Sequence, residues 1–220
     1  MTMPTIQEFL IVARPLAQQS AIGIGIVLIG AMLIFSDWRL ALAAFAILQV
    51  LGGILLTRLL PAEWALLQWI AGGLVAVMWF LSARRVDTVQ RRQRGLPWWR
   101  PDWRFNPSTL LRLALVLLLL VVVYTQKPTY PLPKLPTDLA RFATFLALSG
   151  LVGLGLGDRP LRWGLCLSMW VLAANFAIHA LQVDANTVGL LAGLEILLGF
   201  AISYLIVVDG ARFWRNPEDA

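Results

Sequence analysis

The sequence predicts an all-α fold, a polytopic integral membrane bundle of about seven transmembrane helices, and three observations lead to this prediction. Hydrophobic residues make up 59% of the 220 residues and charged residues only 14%, whereas soluble globular proteins carry about 25% charged residues. The hydrophobic residues form runs close to the length of about 20 residues that a helix needs to cross a bilayer. Runs such as residues 113–123 show no alternation of apolar and polar residues, which excludes the strands of a membrane β-barrel.

Seven apolar runs are separated by short segments that contain most of the charged residues. They cover residues 20–36, 40–60, 63–83, 109–125, 139–157, 161–182 and 187–208. The first and the fourth run are short for a span, and residues from their flanks would lengthen both helices. The runs divide the chain into an interfacial N-terminal segment (1–19), a three-helix transmembrane unit (20–83), a cytoplasmic loop rich in Arg and Trp (84–108), a four-helix transmembrane unit (109–209) and a cytoplasmic tail (210–220).

The N-terminal segment has apolar residues at helical spacing, namely Ile6, Phe9, Leu10, Ala13 and Leu16. This spacing fits an amphipathic helix that lies in the membrane interface or a polar extension of the first span, and the interfacial helix is the favoured interpretation. The segment lacks a basic start followed by an apolar stretch and a cleavage site, so we expect no cleavable signal peptide.

The distribution of basic residues predicts the orientation of the chain. The segment 84–108 contains seven arginines, and the positive-inside rule places such a segment in the cytoplasm. Seven spans then put the N-terminus outside and the C-terminus inside, in the plasma or inner membrane. This topology places 13 of the 18 Lys and Arg residues inside and five outside; the five are Arg14, Arg58, Lys127, Lys134 and Arg141.

The same cytoplasmic segment interleaves arginines with tryptophans, and its members are Arg91, Arg92, Arg94, Trp98, Trp99 and Trp103. Arginine combined with aromatic residues can bind nucleic acid. The favoured interpretation is an interfacial loop, with indole rings at the level of the headgroups and arginines on lipid phosphates. We therefore expect this segment to contact the lipid bilayer and not nucleic acid.

Glu195 is the one acid deep inside a predicted span. Ionisable groups within the hydrocarbon are costly and often mark a functional site. Counted from Asn186 at the predicted outer end of its helix, Glu195 lies roughly 14 Å down at the helical rise. This depth is close to the centre of the bilayer.

The preceding predicted helix carries two polar residues, Asn175 and His179, which lie four residues apart and therefore on one face. An antiparallel arrangement of the two helices places Asn175 at the depth of Glu195 and His179 one turn nearer the outer surface. With Asp184 at the mouth, these residues predict a half-channel for protons, because a buried carboxylic acid can load a proton and a histidine can relay it. The alternative is that Glu195 is protonated and hydrogen-bonded between helices, with Asn175 or with a partner subunit, and stabilises packing.

Other residues within the spans indicate helix packing. Gln49 and Gln68 are interpreted as packing residues that form hydrogen bonds between helices. Glycines allow close approach of helix backbones. The glycines at packing positions are Gly52, Gly53, Gly72, Gly73, and the GxxxG pair Gly189 and Gly193.

The loops contain no HExxH, GxSxG or paired-carboxylate motif, so we expect no cofactor, no metal site and no catalytic residues. The single cysteine, Cys166, lies within an apolar run and is expected to be a buried small residue. We therefore expect no catalytic activity from the chain on its own.

The segment LLAGLEILLGFAISYL, which contains Gly193, Leu194, Glu195 and Ile196, resembles the second helix of the small K subunit of complex I. Relatives of that protein include the E subunit of the hydrogenase-4 type and the C subunit of multisubunit cation/proton antiporters. The seven-span length is similar to the hydrogenase-4 protein, although the predicted direction of this helix is opposite to that in the K subunit. The resemblance is limited to the last helix and implies that Glu195 lies on a proton path.

Together these observations predict a non-catalytic integral membrane subunit of a larger complex, linked to proton or cation translocation, with other membrane subunits as partners. The alternative is a self-contained transporter or channel for small solutes. The scarcity of polar residues in the first five predicted spans argues against the alternative, because a pathway needs polar groups along its wall.

Overall fold

The structure is a computed structural model that describes residues 19–93, 107–126, 135–181 and 184–215. Within these ranges the chain forms seven helices and no strand. The helices are α1 (Gln19–Ile34), α2 (Trp38–Leu56), α3 (Ala62–Gln93), α4 (Pro107–Gln126), α5 (Thr137–Leu156), α6 (Pro160–Leu181) and α7 (Ala185–Arg215). The predicted all-α membrane bundle is confirmed.

Six of the described helices, α2 to α7, are long and apolar enough to cross a membrane, so the protein is a multi-pass integral membrane protein. Helix α1 is shorter, with 16 residues. It runs beside α5, because Gly25 faces Phe142 near the start of α5 and Leu33 faces Gly153 near its end. A seventh crossing by α1 stays a prediction, and this packing supports it.

Two helices extend beyond their predicted ends. Helix α3 continues past residue 83 to Gln93, and α7 continues past residue 208 to Arg215. Residues 84–93 contain no glycine or proline, so nothing in this stretch interrupts the helix as it leaves the apolar region. The first part of the predicted cytoplasmic loop is therefore helical.

Most of the predicted interfacial residues cannot be placed. The N-terminal residues 1–18, together with Arg94, Trp98, Trp99 and Trp103, lie outside the described residues. Arg91 and Arg92 belong to the end of α3. Their contact with lipid stays a prediction.

Short turns join several consecutive helices and make them antiparallel neighbours. Asp37 precedes α2, and its side chain accepts a hydrogen bond from the Arg39 backbone N–H at 2.9 Å. Such a cap satisfies one of the free N–H groups at the start of a helix. Helix α6 starts at Pro160, a residue suited to the first helical position because its fixed φ fits the helix and no N–H is needed there.

Helices α3 and α7 run in the same direction and pack along much of their length. Gln68 contacts Glu195, whereas Val86, further along α3, faces Gly210, further along α7. Between these points, the indole N–H of Trp79 donates a hydrogen bond to the backbone carbonyl of Gly199 at 3.0 Å. The pair of helices forms the frame that holds the buried polar residues.

Candidate functional site

Four polar side chains meet inside the bundle, one from each of four helices. They are Gln49 on α2, Gln68 on α3, Asn175 on α6 and Glu195 on α7, and we call them the polar cluster. None is more than 4% exposed, and Glu195 is 0% exposed. Glu195 lies ten residues after Ala185, or about 15 Å below the start of α7 at the helical rise.

Hydrogen bonds connect the polar cluster. The Gln49 side-chain amide donates to Oε1 of Glu195, and the Gln68 amide donates to Oε2 at 2.6 Å. The Gln68 amide is also 3.2 Å from Oε1 of Gln49, which accepts from it. Asn175 donates through Nδ2 to Oε1 of Gln68 at 3.2 Å. Both oxygens of the carboxyl group therefore have amide donors, and Asn175 reaches Glu195 through Gln68.

Two glycines allow the side chains of Gln49 and Trp69 to pack between α2 and α3. A Cβ atom on Gly72 would lie 2.8 Å from the Gln49 side chain, so Gln49 can rest against the α3 backbone only because residue 72 is glycine. A Cβ atom on Gly53 would lie 1.8 Å from the Trp69 indole nitrogen, and this nitrogen donates to the Val50 carbonyl at 3.0 Å. The predicted close approach of α2 and α3 is confirmed at Gly53 and Gly72, whereas Gly52 faces Leu172 of α6 and Gly73 faces open space.

The electrostatic surroundings of Glu195 consist of neutral amides. In the described ranges, the ion pairs join other residues at the two ends of the bundle, Arg39 with Asp87 and Arg58 with Asp138, and none involves Glu195. Burying an ionised carboxylate without an opposite charge costs several kcal/mol or more. Glutamine and asparagine amides carry both donors and an acceptor. The cluster can therefore bond to the carboxylate or, after rotation of one amide, to the carboxylic acid.

Of the predicted site residues, Glu195 and Asn175 belong to the polar cluster, and His179 and Asp184 lie outside it. His179 is 1% exposed and lies one turn from Asn175 towards the end of α6. Asp184 precedes α7, is partly exposed, and its backbone carbonyl accepts a hydrogen bond from Val188 at 3.2 Å. Glu195, Asn175 and His179 are thus buried in the same end of the bundle, with Asp184 at its edge.

Gln49 and Gln68 form hydrogen bonds between helices, as predicted, and they are also the direct partners of Glu195, which was not predicted. The depth of the two glutamines along their helices could have indicated this contact. Gln49 lies seven residues before Leu56 and Gln68 six residues after Ala62, on either side of one short turn. The two amides therefore lie at the same level, in the half of the bundle that also holds Asn175.

The GxxxG pair and the cysteine lie outside the polar cluster. A Cβ atom on Gly189 or Gly193 would meet no described atom within 4 Å, so this pair does not pack against another described helix. Cys166 is buried, as predicted. Among the described residues, no group of three or more His, Cys, Asp or Glu side chains could hold a metal ion.

The fold and the polar cluster define the class as a multi-pass α-helical membrane protein with a buried carboxyl group. Comparisons with protein-family models, with curated proteins and with solved structures give no match. The resemblance of the last helix to the K-subunit group therefore stays a prediction.

Proposed function

We propose that the protein is a non-catalytic subunit of a larger membrane complex and that Glu195 takes part in proton translocation by that complex. The observation that carries this proposal is the buried carboxyl group, whose two oxygens accept hydrogen bonds from the amides of Gln49 and Gln68. An ionisable group at this depth is costly and often marks a functional site.

The chemistry of the cluster supports a proton more than a metal cation. The amide nitrogens, not the amide oxygens, face the carboxyl group, and N–H donors repel a cation. When a proton binds to one carboxyl oxygen, rotation of the facing amide presents its oxygen as an acceptor for the new O–H group. The carboxyl group therefore keeps hydrogen-bond partners in both protonation states.

A route towards the outer surface is supported by the positions on α6. His179 lies four residues beyond Asn175, and both side chains are at most 2% exposed. A histidine can accept and pass on a proton near neutral pH. Asp184, partly exposed at the start of α7, would then be the outer end of the route.

Association with other subunits is supported by the outer face of α7. Leu190, Leu197 and Tyr204 are 67–75% exposed, and Gly189 and Gly193 on the same helix have open space where a side chain would be. Paired small residues on a lipid-facing helix allow a second helix to approach closely. A self-contained transporter is less well supported, because the buried amides bond to one another and to Glu195 instead of lining a pathway.

The proposed orientation places the N-terminus outside and the C-terminus in the cytoplasm of the plasma or inner membrane. The excess of arginine in the segment 84–108 supports it. Reporter tags at Lys134 and at the C-terminus should read outside and inside. Tags that report the same side for both positions would contradict this orientation.

The function is tested with Glu195→Gln in the full chain, extracted gently from its native membrane together with its partners. The amide keeps hydrogen-bonding groups but cannot carry a proton, so we expect co-migration with other subunits to persist and proton uptake by reconstituted vesicles to fall at least tenfold. Glu63→Gln is the matched control, because Glu63 is an exposed residue in the first turn of α3. Full proton uptake in Glu195→Gln, or a chain that purifies alone and transports a solute, would overturn the proposal.

A further inference from the structure

Two arginines, Arg112 and Arg162, line one small cavity at the end of the bundle opposite to the polar cluster. The cavity has a volume of about 20 Å³ and is otherwise lined by apolar and small residues of α1, α5 and α6. Arg112 comes from the first turns of α4, and Arg162 is the third residue of α6. Both arginines therefore lie where helices begin, at the level of the membrane surface.

The contacts of the two arginines leave positive charge at this cavity. Arg162 is 3.4 Å from the Asp158 carboxylate, whose side chain is 64% exposed. Within the described part of the chain, Arg112 donates a long hydrogen bond of 3.5 Å to the backbone carbonyl of Leu156. The charged groups that act on Arg162 are Arg112, Arg159 and Asp158. Among the described residues, these three arginines and one aspartate give a local net charge of +2.

Two further features favour an anion at this position. The start of α6 adds the positive end of a helix dipole. A guanidinium group matches the geometry of a phosphate, to which it can donate two parallel hydrogen bonds.

The neighbouring surface is suited to acyl chains. Only 11% of the most apolar window of α4 is buried, so this helix faces lipid along most of its length. Leu110 and Leu111, just before Arg112, are 68% and 55% exposed, and Leu151 on α5 is 56% exposed. A ligand that fits both surfaces has a phosphate group and long apolar chains.

We propose that Arg112 and Arg162 bind the phosphate group of an anionic phospholipid whose acyl chains lie against the exposed leucines of α4. Basic pockets between transmembrane helices at the membrane surface are typical sites for such headgroups. The 20 Å³ cavity is about the size needed for one water molecule. It therefore admits a single phosphate oxygen between the two arginines, while the rest of the headgroup remains at the surface.

The test measures lipid binding by the purified full chain after removal of native lipid, with native mass spectrometry. Phosphatidylglycerol is compared with phosphatidylcholine and with inorganic phosphate. We expect Arg112→Gln and Arg162→Gln each to weaken binding of phosphatidylglycerol about fivefold, the effect of one arginine near an anionic lipid. Arg58→Gln, which removes an arginine at the opposite end of the bundle, is the matched control and should leave binding unchanged.

Asp158→Asn keeps the test independent of folding defects in the arginine variants. Asp158 is largely exposed and competes with the lipid for Arg162, so its removal should strengthen binding of phosphatidylglycerol severalfold. Binding that is unchanged or weaker in Asp158→Asn would overturn the proposal. Equal binding of phosphatidylcholine would exclude an anionic lipid, and inorganic phosphate that displaces phosphatidylglycerol at equal concentration would show a site for a soluble anion instead.

Discussion

The polar cluster and the arginine cavity are two places in the described part of the bundle where polar side chains enter it, and they differ in depth, charge and closure. The cluster is sealed between α2, α3, α6 and α7, and its one ionisable group is surrounded by neutral amides. The cavity lies at the helix ends, where α5 finishes and α6 begins, and carries an excess of positive charge. The depth of a polar group in the membrane determines which partners can satisfy its charge and its hydrogen bonds.

At the membrane surface, a charged group can use headgroups and water, so two arginines can lie close together without a full set of protein partners. About 15 Å below the surface no such partners exist, and every donor and acceptor must find one within the protein. The cluster meets this condition with side chains from four helices. Disturbing the cluster should therefore cost far more stability than disturbing the cavity.

The largest effect is expected for Glu195→Ala. The substitution removes the acceptor for both amides and leaves a space between four helices. The Gln68 amide can still bond to Gln49, whereas the Gln49 amide loses its only described acceptor. We expect a loss of about 2 kcal/mol in the free energy of unfolding, since an unpaired buried donor costs about 1–3 kcal/mol.

The measurement is reversible unfolding in mixed micelles, with Glu195→Gln as the control that keeps the volume and the hydrogen-bonding groups. Glu195→Gln should lose less than half as much stability as Glu195→Ala. Equal stability of Glu195→Ala and the unsubstituted chain would show that the hydrogen bonds of the cluster do not stabilise the bundle.

An intermediate effect is expected for Gly72→Ala. Its Cβ atom would lie 2.8–2.9 Å from Gln49 side-chain atoms, so Gln49 must move away from Glu195 and the hydrogen bond between them weakens. The neighbouring Gly73→Ala is the matched control, because its Cβ atom meets nothing within 4 Å.

We expect Gly73→Ala to be neutral or to stabilise by up to about 1 kcal/mol, the usual gain when glycine within a helix becomes alanine. Gly72→Ala should instead lose about 1 kcal/mol, the size of an interhelical hydrogen bond in a membrane. The comparison is made by thermal unfolding of the two variants in the same detergent. A Gly72→Ala variant as stable as Gly73→Ala would mean that Gln49 can shift without cost.

Much of this arrangement could be predicted from the sequence, and the limits have a physical cause. Hydropathy gives the depth of a residue along its own helix, so the burial of Glu195 and Asn175 could be predicted. It does not give the neighbours of that helix. Gln68 and Glu195 are 127 positions apart, and only the packing of α3 beside α7 brings them together.

The glycines show the same limit. Small residues indicate that a close approach is possible, but not which face of the helix makes it. Gly189 and Gly193 were predicted to pack and have no described neighbour, whereas Gly199 and Gly210 on the same helix contact α3. The helix extensions were not predicted, for a different reason. The apolar run ends at the charged residues, whereas the helical backbone continues beyond them.

The smallest effect is expected for Arg112→Gln, measured as the free energy of unfolding in a neutral detergent without anionic lipid. Arg112 makes one long hydrogen bond and repels Arg162, so its removal loses little attraction and relieves some repulsion. Charged groups near the surface contribute about 0–1 kcal/mol, and we expect a change below about 0.5 kcal/mol in either direction. Anionic phospholipid should stabilise the unsubstituted chain more than this variant, because ligand binding to the folded state adds stability. A loss as large as that in Glu195→Ala, seen without lipid, would mean that the arginine cavity is a closed structural site like the polar cluster, and the contrast between the two regions would fail.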